Sequence, residues 1–252
     1  LQLEAVQFAE MREDAGLKEY LDRTTFINKD GEVCEFTDLQ KHDLNLVLQK
    51  RYALLNWQQG SGKTAAVYHR AKYLLKFRKA KNVIILAPAI ATNMTWISFL
   101  TINKERFRTI QAAGDLNNIP EGTFLVVSTS MLRKLKRGLM RFVKRTSGKL
   151  CLVFDESDEI TNPTSQRTRN ILCIFRRLRY KILDTGTTTR NNIAELYSQF
   201  ELLYNNSVNM ICWSPQVYHE NRDHEIEEEN NLDYGTPFPA FRFVLVVHVL
   251  VL

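Results

Sequence analysis

Apolar residues recur at two different spacings along the middle of the chain, between about residue 50 and residue 205. Short apolar runs predict strands at 51–57, 82–88, 123–129, 149–155 and 180–185. Longer stretches with apolar residues on one helical face predict helices over 63–79, 92–102, 130–145, 164–178 and 192–204. Strands that alternate with helices in this way predict an α/β fold, in which helices flank a parallel sheet.

The two ends of the chain have different patterns. Residues 1–22 predict a short helix, and residues 24–36 predict a hairpin around an Asp-Gly turn. After about residue 206 the sequence becomes polar, acidic and proline-containing, and the chain begins with leucine rather than methionine. We therefore expect a helix and hairpin extension (1–36), an α/β domain (37–205), and an irregular C-terminal extension with an acidic insertion and the start of a truncated continuation (206–252).

The net charge of +6 hides an uneven distribution. Residues 219–233 hold seven acids and one arginine, and the remaining sequence has 33 basic against 21 acidic residues, a net charge of +12. A basic body suits an anionic partner such as nucleic acid, although the lysine-rich surface of an ordinary soluble protein also accounts for it. The basic run at 133–149 leaves the same two alternatives open.

Cysteine usage and hydropathy indicate the compartment. The sequence has four cysteines and no C-x-x-C pair, which gives no support for a zinc or redox motif and favours a reduced, intracellular setting in cytoplasm or nucleus. The N-terminus shows no secretion signal. The longest apolar run, 243–252, is too short to span a bilayer, so we expect no membrane partner.

The stretch LLNWQQGSGKTAAV (54–67) resembles a phosphate-binding loop in which Trp57 replaces the first glycine of G-x-x-x-x-G-K-[ST]. Glycines let main-chain amides close around phosphate oxygens, and the helix that follows directs its N-terminus at the same anion. The lysine would reach the β- and γ-phosphates of ATP, and the threonine hydroxyl would bind Mg²⁺. The nucleotide-binding residues are then Gly60, Ser61, Gly62, Lys63 and Thr64. The alternative is a tight turn with a surface lysine.

A second acidic element follows the predicted strand at 149–155. The sequence KLCLVFDES places Asp155 and Glu156 where the strand ends, and ligands of parallel sheets gather at the carboxyl ends of strands. Asp155 would hold Mg²⁺ together with Thr64, and Glu156 would act as general base on the attacking water. We therefore expect Lys63 and Glu156 to be the catalytic residues. The alternative is a solvated strand end.

Residues 152–203 resemble the corresponding block of Swi/Snf-type ATPases in helicase superfamily two. The D-E pair, a T-G-T block and a following N-N-x-x-E-L carry the resemblance in this order: Asp155, Glu156, Asn162, Ser165, Thr185, Gly186, Thr187, Asn191, Asn192, Glu195 and Leu196. Two earlier blocks match as well, at 84–96 with Pro88 and Trp96 and at 126–134 with Thr129. The resemblance implies an N-terminal RecA-like lobe, which is a phosphate-loop NTPase fold.

The resemblance also implies an activity and its residues. The family hydrolyses ATP with Mg²⁺ and couples hydrolysis to translocation on duplex DNA, whose phosphates the first lobe contacts. Coupling and nucleic-acid positions carry over to Pro88, Thr129, Thr185, Gly186, Thr187, Asn191 and Asn192. In this family the first loop glycine is often replaced, so Trp57 is expected to be a packing residue. No motif of a second lobe follows residue 205, and one lobe alone should hydrolyse ATP weakly or not at all.

Some positions depart from the family pattern. Asp158 stands where the family has histidine, and Thr188 stands where it has proline. The glutamine that reads adenine aligns with Asp43, with Gln40 as the nearest substitute. Two other functions stay open: a non-catalytic nucleotide- or nucleic-acid-binding module, and another phosphate-loop phosphotransferase such as a small-molecule kinase.

Overall fold

The structure is a computed structural model that describes residues 12–146, 148–186 and 196–204. The helices are α1 (Ala15–Asp22), α2 (Asp38–Leu48), α3 (Lys63–Lys76), α4 (Ala89–Ala91), α5 (Ile97–Ile102), α6 (Leu132–Arg145), α7 (Gln166–Phe175) and α8 (Tyr197–Tyr204). The strands are β1 (Thr25–Ile27), β2 (Val33–Glu35), β3 (Tyr52–Asn56), β4 (Asn82–Ala87), β5 (Phe107–Thr109), β6 (Phe124–Ser128), β7 (Leu150–Phe154) and β8 (Tyr180–Thr185).

Six of these strands form one parallel sheet in the order β3-β8-β7-β4-β6-β5. The predicted α/β fold with a parallel sheet is therefore confirmed, and the five predicted strands all lie in it. The sixth strand, β5, covers only three residues, which is too short to show a period. The order matters for the site because β8 lies between β3, which leads into the glycine turn, and β7, which leads into the D-E pair.

Helices cover both faces of the sheet and create two hydrophobic clusters. Val153 and Ile182 face a cluster that includes residues of α2 and α3. Leu152 and Leu183, one position along each strand, face a cluster that includes residues of α6, α7 and α8. This alternation follows from the period of two in a strand. Because both faces are buried, β7 has no exposed position, and the strands read as continuous apolar runs.

The helices differ from their predicted bounds for local reasons. Helix α3 ends at Lys76, and Arg78 adopts a left-handed φ of 54°, which stops the helix before residue 79. Helix α2 is not among the predicted helices; a capping box between Thr37 and Gln40 starts it. Only Ala15–Asp22 is helical within the described part of the predicted N-terminal helix.

The N-terminal extension packs on the α/β domain. Leu21 of α1 and Phe36 after β2 are buried in the cluster around α3, and the side chain of Asn103 bonds both main-chain polar groups of Ile27. The boundary at residue 36 stays a prediction. The acidic insertion at 219–233 and the apolar run at 243–252 lie outside the described residues. Among the described helices, none is both long enough and apolar enough to cross a membrane.

A buried lysine joins the first residues of β8 to two helices. Lys181 has no exposed side-chain surface, and its Nζ donates to the carbonyl oxygens of Arg176 (2.7 Å) and Leu202 (2.5 Å). Burial lowers the pKa of Lys181 from 10.5 to about 7, against the smaller opposing effect of Glu201. The ammonium therefore connects the end of α7 to α8. Its loss of hydration on burial disfavours the charged form.

Replacing Lys181 with methionine tests this pKa through the pH dependence of stability. The unfolded chain holds the lysine proton up to a pH near 10.5, whereas the folded chain releases it near pH 7. The contribution of Lys181 to stability is therefore fully present above the unfolded pKa and is lost as the pH falls towards 7. Between pH 7 and pH 10, the free energy of unfolding of the parent chain should gain about 3 kcal/mol relative to Lys181→Met.

Urea unfolding at several pH values measures this difference. Lys134→Met, which replaces an exposed lysine of α6, provides the matched control. A difference between the parent and Lys181→Met that does not change with pH would contradict the lowered pKa.

Candidate active site

The glycine turn predicted to bind phosphate connects β3 to α3. Gly60 and Gly62 both adopt left-handed backbone conformations, with φ of 82° and 83°, which a side chain would strain. Gly62 is the N-cap residue of α3. Ser61 closes the turn because its N–H and its Oγ both bond the carbonyl oxygen of Gln58, at 3.2 and 2.6 Å. Main-chain amides at the start of α3 thus lie at one rim of the sheet.

Lys63 folds back over this turn. Its Nζ donates to the carbonyl oxygens of Trp57 (3.1 Å) and Gln58 (3.2 Å). The end of β8 passes beside it, since a Cβ added to Gly186 would lie 3.4 Å from the Lys63 Nζ. Glycine at position 186 therefore leaves the lysine room to approach the neighbouring strand. Thr64, the next residue, is half-buried in the first turn of α3.

Asp155 lies at the end of β7 and is held by an indole. The Nε1–H of Trp96 donates to Asp155 Oδ2 at 2.7 Å, and both side chains are buried. Trp96 ends a π-helical turn, Thr92–Trp96, between α4 and α5; a turn of this kind changes the direction of the side chains that follow it. Burial raises the pKa of Asp155, and the Trp96 hydrogen bond opposes that rise.

A second buried acid, Asp184, lies beside Asp155. The parallel register pairs Phe154 with Leu183, so the following residues, Asp155 and Asp184, are neighbours on the face that α3 covers. Asp184 is 1% exposed. Its pKa is raised well above the ordinary value by burial and then by the charge of Asp155, and the positive charge of Lys63 opposes the rise. The structure thus brings Lys63 and Asp155 together, as the sequence predicts, and adds a second acid.

Glu156 has an unusual backbone. Its φ of 53° and ψ of 55° are left-handed, a conformation that costs a non-glycine residue about 1–3 kcal/mol and is often found at functional sites. The side chain is half-buried, and its pKa is raised by burial and then by the negative charge of Asp155. Lys63 acts on Glu156 in the opposite direction, which places Glu156 in the same electrostatic environment as the two aspartates.

A hydrogen bond joins the turn after β7 to the end of β8. The Thr185 Oγ1 donates to Asp158 Oδ1 at 3.3 Å, and both residues are buried. Asp158, which replaces the family's histidine, therefore makes a polar link between the D-E turn and the T-G-T block. Thr187, Asn191 and Asn192 lie outside the described residues.

The remaining predicted positions lie along the same edge of the sheet. Pro88 follows β4 and is the N-cap residue of α4, while Thr129 is buried just after β6. The basic helix α6 buries Leu132, Leu135 and Leu139, so the charged residues of the run 133–149 lie mainly on its outer side. The structure brings Pro88 and Thr129 to the edge that carries the glycine turn.

The two candidate adenine-reading residues, Asp43 and Gln40, make different contacts. The Trp57 indole is 4% exposed and donates from Nε1 to Asp43 Oδ2 at 2.9 Å, so Asp43 is buried beneath the turn. Gln40 instead contacts the turn itself, because its Nε2 donates to the Ser61 carbonyl oxygen at 2.8 Å. Of the two candidates, Gln40 is the one beside the predicted phosphate loop.

The donor atoms at this edge fit Mg²⁺. Asp155, Asp184 and Thr64 offer carboxylate and hydroxyl oxygens, which are the ligands that Mg²⁺ prefers. Neither Asp184 oxygen has a hydrogen-bond donor among the described residues. No group of three or more His, Cys, Asp or Glu residues in the described parts of the chain could hold a metal ion by itself. Mg²⁺ needs only a small number of protein ligands, because it keeps several waters and binds substrate phosphates.

Comparison with known families identifies the chain. A family described as "Type III restriction enzyme, res subunit" matches residues 25–190, more than half of the 252 residues. The chain belongs to this family. The match in this restriction-enzyme family includes the glycine turn, the D-E pair and the T-G-T block. No curated protein matches the chain.

Solved structures similar to this family member include two of a SWI2/SNF2 ATPase core from Sulfolobus solfataricus. One is a complex with dsDNA (16% identity, TM-score 0.58, covering 77% of this chain and 39% of that chain). The other is the core domain (16% identity, TM-score 0.58, covering 79% of this chain and 40% of that chain). The UvsW helicase from bacteriophage T4 is also similar (15% identity, TM-score 0.52, covering 76% of this chain and 67% of that chain). These matches confirm the predicted RecA-like fold and the resemblance to a Swi/Snf-type lobe. The chain spans about two fifths of the Sulfolobus structures.

Two side chains at this site, Trp96 and Asp184, were not predicted from the sequence. Trp96 was matched to a family block but given no contact with Asp155. Asp184 was overlooked, although an acid after an apolar strand is the same signal that identified Asp155. That signal would have found Asp184 if it had been applied to the run at 180–185.

Restoring the first loop glycine should destabilise the folded protein. Trp57→Gly recreates G-x-x-x-x-G-K-T but removes a buried indole and its hydrogen bond to Asp43. We expect the free energy of unfolding to fall by about 4 kcal/mol, measured by urea unfolding. Trp57→Phe, which keeps most of the volume and loses the N–H donor, should lose only about 1–2 kcal/mol. A glycine variant as stable as the parent would show that Trp57 is not a packing residue.

Proposed function

We propose that this chain is the ATP-binding lobe of a nucleic-acid-dependent ATPase that moves along duplex DNA. The observation that carries the proposal is the convergence of one lysine, a glycine turn and the D-E pair at the carboxyl edge of the sheet. Lys63 acts electrostatically on both Asp155 and Glu156 although 92 residues separate it from Asp155. A surface turn and an unrelated strand end would have no reason to meet.

The glycine turn supplies the phosphate grip. The amides of Gly60, Ser61 and Gly62 and the N-terminus of α3 offer donors to the phosphate tail. Lys63 would exchange the Trp57 and Gln58 carbonyl oxygens for β- and γ-phosphate oxygens. Thr64 and Asp155 would hold Mg²⁺, which neutralises charge on the phosphates when it is bound.

Glu156 is the proposed general base. It would accept a proton from the water whose oxygen attacks the γ-phosphorus, while the bond to the bridging oxygen of ADP breaks. The raised pKa of Glu156 makes its carboxylate a better proton acceptor. Its left-handed backbone, immediately after a buried strand, supports a positioned rather than a solvated side chain.

Coupling to nucleic acid is supported by the bond between Thr185 and Asp158. A structural change at the γ-phosphate that moves Glu156 would also move Asp158, which is two residues further along the chain. The bond to Thr185 would transmit this movement to the end of β8. Pro88, Thr129 and Gly186 follow other strand ends on the same edge, where they could contact phosphates of one strand. We propose the same for Thr187, Asn191 and Asn192. A dsDNA partner is supported by the complex formed by the similar Sulfolobus ATPase core.

A complete ATPase of this kind needs a second lobe. Residues 12–146, 148–186 and 196–204 form one sheet with its covering helices and the N-terminal hairpin, and an arginine facing the γ-phosphate would come from another lobe. Such an arginine contributes on the order of 10³–10⁵ in rate. We therefore expect this lobe alone to bind ATP and to hydrolyse it slowly.

Glutamine at position 156 tests the proposed chemistry. Glu156→Gln should keep ATP binding and lower duplex-DNA-stimulated phosphate release by about 10²–10⁴-fold, because the amide cannot accept the proton. Phosphate release is measured with the chain joined to, or supplemented with, a second lobe from the same family. Glu159→Gln is the matched control, since the Glu159 carboxylate forms an ion pair with Arg167, and it should retain most of the activity.

Each alternative function has its own outcome. Lys63→Ala should abolish binding of a fluorescent ATP analogue; if the parent chain binds none either, the proposal fails altogether. Binding without any phosphate release would indicate a non-catalytic module. Transfer of phosphate to a small metabolite without an effect of DNA would indicate a kinase.

A further inference from the structure

Asp184 is an acid at the nucleotide edge that none of the motifs described above uses. It is the second-last residue of β8, directly before the T-G-T block. In the sheet order, β8 lies between β3 and β7. Asp184 therefore lies between the strand that leads into the phosphate turn and the strand that Asp155 directly follows.

The surroundings of Asp184 are unfavourable for a carboxylate without a ligand. The residue is 1% exposed, and its strand neighbour on the β3 side is Leu55, which is completely buried. Neither carboxylate oxygen has a donor among the described residues. The Asp155 carboxyl lies within hydrogen-bonding reach, but two ionised carboxylates have only acceptors to offer each other. Burial of a polar group of this kind is unfavourable unless something binds it.

Lys63 does not remove this cost. Its three ammonium hydrogens have two carbonyl partners in the turn, Trp57 and Gln58, and its charge acts on Asp184 only at longer range. The other side of Asp155 is occupied by the Trp96 indole N–H, which bonds Oδ2. The Glu156 main-chain N–H also bonds the Asp155 carboxyl. Within the described residues, the donors at this pair of carboxyls therefore serve Asp155, and neither Asp184 oxygen receives one.

We propose that Asp184 is a second carboxylate ligand of the divalent cation at this site, together with Asp155. The proposal rests on the proposed function, because the same cation accompanies the nucleotide. Mg²⁺ is commonly held by one or two carboxylates, and waters and phosphates complete its coordination shell. Asp155 and Asp184 would supply two. The consequence is a site that binds Mg²⁺ or Mn²⁺ before any nucleotide arrives.

Mn²⁺ binding without nucleotide tests the assignment. Free Mn²⁺ is followed by its electron paramagnetic resonance signal as the chain is added. The parent chain should bind one Mn²⁺ ion at millimolar or lower concentrations, and Asp184→Asn should weaken that affinity about 10–100-fold. Asparagine keeps the shape of the side chain and removes its charge. The apo Asp184→Asn chain should be at least as stable as the parent, since an unpartnered buried carboxylate is removed.

Asp43→Asn is the matched control. Asp43 is also 1% exposed and lies near the turn, but its carboxylate accepts from the Trp57 indole. It should bind Mn²⁺ like the parent. The addition of Mn²⁺ should also raise the melting temperature of the parent and of Asp43→Asn, and raise that of Asp184→Asn much less.

Two results would overturn the assignment. One is equal Mn²⁺ affinity in the parent and Asp184→Asn, which would leave the two carboxyls to share a proton instead. The other is a parent chain that binds no Mn²⁺ until nucleotide is present. Binding of the ATP analogue in the presence of EDTA, dependent on Lys63, separates this failure from that of the proposed function. If that binding persists, only the proposed role of Asp184 is refuted, and the proposed ATP binding stands.

Discussion

The charge balance at the carboxyl edge of β3, β8 and β7 constrains the whole structure. One ammonium, that of Lys63, faces the carboxyls of Asp155, Asp184 and Glu156, and burial raises the pKa of all three acids. Such an arrangement opposes folding, because carboxylates lose water without gaining enough partners. It persists only where the rest of the fold is stable enough to hold it and where a ligand can complete it.

The sheet provides that stability. Strands β4 and β7 are buried along their whole length, and each face has its own apolar cluster. Two unfavourable features lie together at one edge of this core: an acid that receives no hydrogen bond from the described residues, and a glutamate in a left-handed conformation. The free energy that the buried strands contribute offsets the strain at the strand ends. This separation of a stable core from a strained rim is typical of catalytic sites.

Local patterns in the sequence were enough to predict the strands, the glycine turn and the D-E pair, because each depends on neighbouring residues. The contacts between Trp96 and Asp155 and between Asp155 and Asp184 depend on which strands are adjacent. That order, with β8 inserted between β3 and β7, joins segments far apart in the chain, and apolar periodicity carries no information about it. Helix α2 was missed for another reason: polar residues fill much of its length, and its capping box is the clearer signal.

Two residues that depart from the family pattern, Trp57 and Asp158, each make a hydrogen bond within the fold. Trp57 takes a glycine position, yet φ values above 80° occur at Gly60 and Gly62, so the turn does not need glycine where β3 ends. Asp158 takes a histidine position and accepts a hydrogen bond from Thr185. The Thr185 hydroxyl is the donor in this bond, and Asp158 Oδ1 is the acceptor. The direction of that bond, and with it the orientation of the threonine hydroxyl, is therefore set by position 158.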